Sequence, residues 1–133
     1  MSSSSAAATV TWDDLGQVAL RAQDLDRAVR FYRDVLGMPF LFQAPPGLAF
    51  FRCGSVTLML SRPERAEFDH PGSVLYFRVP DLDAAYAALV GRGVRFESEP
   101  HPVHREPGRE LRMALLRDSE GNPLALMAWV PVA

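Results

Sequence analysis

VALRAQDLDRAV (residues 18–29) and LYFRVPDLDAAY (residues 75–86) are two copies of one pattern, and laying one on the other decides the fold. Arg21, Asp24, Leu25, Asp26 and Ala28 of the first copy meet the identical Arg78, Asp81, Leu82, Asp83 and Ala85 of the second. The match continues into GMPF (residues 37–40) over GVRF (residues 93–96) when the second helix is one residue shorter than the first. Beyond it, AFFR (residues 49–52) lies over ALLR (residues 114–117), and Gly54 over Gly121. Self-similarity in that order is the mark of an internal duplication.

Each copy reads as a strand, a helix and three more strands. In the first, residues 17–22 are of strand type and end just before Asp24, whose side chain can accept from the first free amides of a helix. Leu25, Ala28, Val29, Tyr32, Val35 and Leu36 then recur at three- and four-residue steps as one apolar stripe, and Gly37 can stop the helix. Strands at 39–43, 48–52 and 56–60 follow, separated by Pro45-Pro46-Gly47 and Cys53-Gly54-Ser55. The second copy repeats this with a strand at 74–79, a helix at 81–90 and strands at 95–97, 111–117 and 123–130. The predicted fold class is α+β, two tandem βαβββ modules. Residues 1–13 form a flexible N-terminal segment and 14–133 a single domain, with module one at about 15–61, a connection at 62–72 and module two at about 73–130.

The bulk numbers agree and exclude several functions. A chain of 133 residues suits one core built from both halves. Net charge is −2, with no basic run able to track a phosphate backbone, so no nucleic-acid partner is expected. A single cysteine, Cys53, excludes an intramolecular disulfide framework and a multi-thiolate zinc site, and suits a reducing cytoplasm. MSSSSAAATV lacks the pattern of a secretion signal, and no apolar stretch is long enough to span a bilayer. A soluble cytoplasmic protein without a membrane partner is expected.

DLDRAVRFYRDVLGMPF after a strand, and RDSEGNPLALM near the end, resemble the vicinal oxygen chelate family, which includes glyoxalase I, extradiol dioxygenases and bleomycin-resistance proteins. The resemblance covers residues 15–130. It implies that each module curls its sheet into half a cup, with helices outside and a binding site in the concavity, and that the chain forms a homodimer. It does not fix the chemistry, because the family holds isomerases, oxygenases and proteins that only sequester a compound.

Metal-using relatives hold a divalent ion that chelates two substrate oxygens and acts as a Lewis acid. The resemblance places the first ligand position on Gln17 and the others on Val74, approximately Leu58, and Ala125. Aliphatic side chains cannot coordinate, and a lone carboxamide is a weak holder of such a cation. No metal and no other cofactor are therefore expected at the usual place. Strand alternation puts Gln17, Ala19 and Arg21 on one face with Val56, Leu58, Leu60, Val74, Tyr76, Arg78, Ala125 and Met127. Such a wall, apolar with a few directed polar groups, suits a small, partly apolar organic molecule, and Arg52 or Arg117 can hold an anionic group if its strand faces inward. The plainer readings are a closed apolar core, and for Gln17 a strand-end hydrogen bond.

Three histidines lie off the repeated framework: His70 in the connection, and His101 and His104 in the long segment 99–110. That segment reads as a loop able to close the cup, and His101 is its candidate acid-base group. Two other readings remain. One is a metal-dependent lyase, isomerase or dioxygenase with a displaced site using Gln17 and His101. The other is a ligand-free interaction module in which Phe42, Tyr76 and Met113 plug the concavity.

Overall fold

The computed structural model describes Trp12, residues 15–63 and residues 73–133. Most of the predicted N-terminal segment and of the connection, including His70, lies outside the described residues. Module one runs β1 (Gln17–Arg21), α1 (Leu25–Arg30), β2 (Phe40–Ala44), β3 (Leu48–Cys53) and β4 (Val56–Ser61). Module two runs β5 (Leu75–Arg78), α2 (Leu82–Gly91), β6 (His101–Glu106), β7 (Arg109–Arg117) and β8 (Pro123–Pro131). The two four-stranded sheets share one plan, β1-β4-β3-β2 and β5-β8-β7-β6, with the first strand parallel to the last in each module. This is the predicted α+β architecture of two βαβββ modules, and no helix among the described residues is long and apolar enough to cross a membrane.

The capping aspartates act as the repeat requires. Asp24 accepts from the Arg27 amide at 3.0 Å and Asp81 from the Ala84 amide at 3.0 Å, each with extended backbone at the cap. The predicted stripe of the first helix, from Leu25 to Leu36, packs into an apolar core shared with Phe51, Leu58 and Leu60 of its own sheet and Leu116, Leu124 and Leu126 of the other. The first helix differs from the second in one respect. After Arg30 it widens into a π-helical turn over Phe31–Val35, closed by the Leu36 amide on the Phe31 carbonyl at 2.9 Å. A π turn absorbs one extra residue, which is what the sequence alignment assigns to this helix.

Two expected features are corrected. Residues 95–97 contribute one isolated bridge, Phe96 to Leu116, rather than a strand. The sixth strand is instead β6, so segment 99–110 is no free lid: its backbone is committed to β7 through a hairpin with Gly108 at φ 87. As an edge strand, β6 has neighbours on one side only, so it carries polar residues and a proline without the apolar alternation that marks a central strand.

The two modules are fastened at the DSEGN turn between β7 and β8. Asp118, 6% exposed, accepts from the Glu120 and Asn122 amides at 2.8 and 2.7 Å, from the Tyr32 hydroxyl at 2.7 Å and from Asn122 Nδ2 at 2.8 Å. Asn122 Nδ2 also donates to the Arg21 carbonyl at 2.8 Å, reaching the end of β1. Gly121, with φ 83, allows the turn to close. Burial and the Asp118 charge push the Tyr32 hydroxyl well above the usual tyrosine range, so it stays a donor.

Glu120 adds the ionic part of the joint. Its side chain is fully covered and accepts from Arg27 Nε at 2.8 Å, from the Asp24 amide at 2.9 Å and from Ser119 Oγ at 2.9 Å. Burial alone would raise its pKa, but these donors and the Arg27 charge hold it below the usual carboxylate value. A depressed carboxyl contributes stability above its unfolded pKa, about 4.3, and loses it as pH falls through the folded value. Urea unfolding should therefore show a stability loss in the wild type below about pH 4 that is smaller in Glu120→Gln, which starts less stable at neutral pH. Parallel acid limbs in the two proteins would contradict this assignment.

Candidate functional site

Register decides which side chains share a face, since directly paired residues point to the same side of a sheet. In module one, Gln17, Thr57 and Arg52 form one row across β1, β4 and β3. The next row is Ala19, Met59, Phe50 and Phe42, and the next Arg21, Ser61 and Leu48. In module two, Tyr76, Ala125 and Leu115 form a row across β5, β8 and β7. Arg78, Met127, Met113 and His101 follow, then Trp129, Leu111 and His104. Arg117 pairs with Pro123 at the opposite end of the same face. The alternate residues, among them Val18, Leu20, Phe77, Leu124 and Leu126, lie in the helix-covered core.

Most of the sequence-predicted site residues thus fall on the faces away from the helices. Gln17, Arg52, Tyr76, Ala125, Met127 and Arg117 are all on them by register, Ala125 being fully covered by its neighbours, and Val74 precedes β5 in the alternation that includes Tyr76. Leu58 and Leu60 are not. They pair with Val18 and Leu20, are 2% and 0% exposed, and belong to the core, so their place on the wall is taken by Thr57 and Met59. Val56 leaves the wall with them, because it shares their alternation. The signal was present in VTLMLS: the wholly aliphatic alternation belongs under the helix, and the alternation holding Thr, Met and Ser belongs on the open face.

Polar groups sit around this apolar floor. Gln17 Nε2 lies 3.8 Å from the Met59 sulfur, a weak contact that leaves the carboxamide oxygen without a protein donor among the described residues. Arg52 has no carboxylate partner among the described residues, whereas Arg117 donates to Glu97 at 3.2 Å and to the Gly121 carbonyl at 2.9 Å. His101 is half-buried, and its Nδ1–H donates to the Glu99 carbonyl at 2.7 Å, which leaves Nε2 as the basic nitrogen of the neutral ring. Arg109 stacks over Trp129 at 3.7 Å and pairs with Glu106 at 2.9 Å, bracing the far end of the hairpin.

The donor set does not fit a divalent metal. Around Gln17 the row supplies a threonine and an arginine, and Val74 and Ala125 supply no donor. His101 belongs to the other sheet, in a row with two methionines and an arginine. Among the described residues no three His, Cys, Asp or Glu side chains gather closely enough to hold an ion. Nor do Phe42 and Tyr76 plug a concavity within one chain, being 52% and 53% exposed.

The sequence model of the Glyoxalase/Bleomycin resistance protein/Dioxygenase superfamily matches residues 14–126, and the chain belongs to that superfamily. It is 28% identical to a lactoylglutathione lyase from Agrobacterium tumefaciens, covering 89% of this chain and 95% of that one, with a TM-score of 0.71. A virulence protein from Salmonella typhimurium shares the fold at 18% identity, with a TM-score of 0.75 and coverage of 91% and 100%. The uncharacterised protein YraH of Bacillus subtilis is 29% identical over 119 residues, 80% of this chain and 91% of its own.

The corrected register has a direct consequence for stability. Leu58→Ala should cost about 2–5 kcal/mol in urea unfolding, as deletion of a buried leucine does. Met59→Ala, next to it on the open face, should cost far less. The reverse order would return Leu58 to the wall.

Proposed function

We propose that the protein binds a small, partly apolar organic molecule against these open sheet faces, without a divalent metal or other cofactor, as a cytoplasmic homodimer. The observation that carries the reading is the row structure: Ala19, Met59, Phe50 and Phe42 in one sheet, Ala125, Leu115, Met113 and Met127 in the other, edged by Gln17, Arg52 and Arg78. An apolar floor removes a hydrocarbon or ring from water, and a few polar groups at the rim set its orientation. The guanidinium of Arg52 suits an anionic substituent, and Gln17 suits a neutral donor or acceptor. Met59, Met113 and Met127 let the floor adapt to different shapes.

The homodimer part of the proposal is motivated by the same faces. Phe42 and Tyr76 are large side chains left more than half exposed, one on each sheet, and exposed apolar surface of this kind favours an interaction. A second copy would cover this surface and enclose the ligand between two sheets. The aliphatic side chains at Val74 and Ala125 favour this reading over a metal-dependent lyase, isomerase or dioxygenase.

Native mass spectrometry of tag-free protein, with metal analysis of the same sample, tests the reading. A dimer carrying a small organic molecule, retained after chelator treatment, is expected. Arg52→Ala should weaken that retention about tenfold, as loss of one charge-assisted hydrogen bond does. A stoichiometric metal ion whose removal releases the molecule would overturn the proposal.

A further inference from the structure

An apolar cavity lies on the helix side of the sheets, at the boundary between the modules. Its volume is about 280 Å³, and its walls include Leu36 and Met38 from the end of the first helix, Leu89 from α2, and Phe77, Leu116 and Leu124 from the second sheet. These strand residues have the opposite alternation to the open rows, so the cavity is separate from the site proposed above and does not depend on it. All of its lining side chains are apolar except one, Arg92.

Arg92 is held at this place from both modules. It caps α2, its amide bonding to the Leu89 carbonyl at 3.0 Å, and Gly93 turns the chain away at φ 89. Its Nη1 reaches across to the Val35 carbonyl of the π-helical turn at 3.0 Å. A guanidinium has five N–H donors, so this single bond fixes the group and leaves donors to spare. No carboxylate among the described residues pairs with it, and the residue is exposed, which puts the charge at the mouth of the cavity and not in its depth.

We infer that this cavity is a binding site for a small apolar carboxylate of about the size of octanoate. Size, lining and charge each contribute. An enclosed apolar cavity of roughly 150 Å³ takes a benzene ring, so this half-open cleft of about 280 Å³ has room for about ten to twelve heavy atoms. Leucine, methionine and phenylalanine walls favour a hydrocarbon tail and give water no partners. The spare guanidinium donors favour a planar carboxylate, which they meet with paired N–H bonds. The tail would lie among Leu36, Leu89, Leu116 and Leu124, and the head would bridge α2 and the first helix through Arg92.

Sodium octanoate titrated into the full-length protein, followed by carbon-13 methyl NMR, tests this. Saturable shifts are expected at the methyls of Leu36, Met38, Leu89, Leu116 and Leu124, with the methyls of Met59 and Met113 on the open faces unmoved. Arg92→Met should weaken octanoate binding by about tenfold or more while leaving 1-octanol binding unchanged. Ala88→Trp, at an exposed helical position lining the cavity, should abolish both. Shifts confined to the open faces, no saturable shifts in the folded wild type, equal octanoate affinity in Arg92→Met, or octanoate acting only by dissociating a dimer would each overturn the inference.

Discussion

The buried carboxylate of Asp118 holds the architecture together. An ionised group taken out of water must be matched bond for bond. Here the two turn amides, the Tyr32 hydroxyl and the Asn122 amide do so at 2.7 to 2.8 Å. The partners come from both modules, so satisfying one charge also sets how the first helix sits on the second sheet. The turn holds β7 and β8 in register, and through Asn122 it touches the end of β1, the strand that carries Gln17. Disturbing Asp118 would therefore loosen the joint and shift the open faces together.

Each sheet has one side sealed by its helix and one side left for other uses, and the division follows side-chain alternation. On the sealed side the residues that form the core are aliphatic and aromatic, as burial demands. On the other side methionines, two alanines and aromatics share the rows with arginines and a glutamine. That mixture is costly to bury in a core and well suited to holding a solute. Val74 and Ala125, the positions that the family resemblance assigns to metal ligands, carry no donor atom in their side chains.

Much of this was legible in the sequence, because a duplication supplies its own control. The paired aspartates, the stripe from Leu25 to Leu36 and the strands of the first copy matched the structure, as did all but one strand of the second. The phase was misread at Leu58 and Leu60, which the family resemblance set on the wall although the wholly aliphatic alternation of VTLMLS belongs under the helix, as the pairing of β1 with β4 shows. β6 was missed because an edge strand with Pro102 and two histidines has little apolar patterning. The fastening by Asp118, Glu120 and Asn122 could be recognised as a motif, but its partners Tyr32 and Arg27 are about ninety residues away, and nothing local announces them.

The residue that the first helix has and the second lacks is housed in the π-helical turn. Removing one residue between positions 31 and 35 would let the helix revert to ordinary α geometry. Everything after it would then rotate by roughly 100° and retreat by roughly 1.5 Å. Leu36 and Met38 would swing out of the boundary cavity, and the Val35 carbonyl would leave Arg92. The second unit makes do with the shorter helix over an equivalent sheet, so the additional length is not needed for a module to fold. It supplies an asymmetry between otherwise matching halves, through which one copy grips the other.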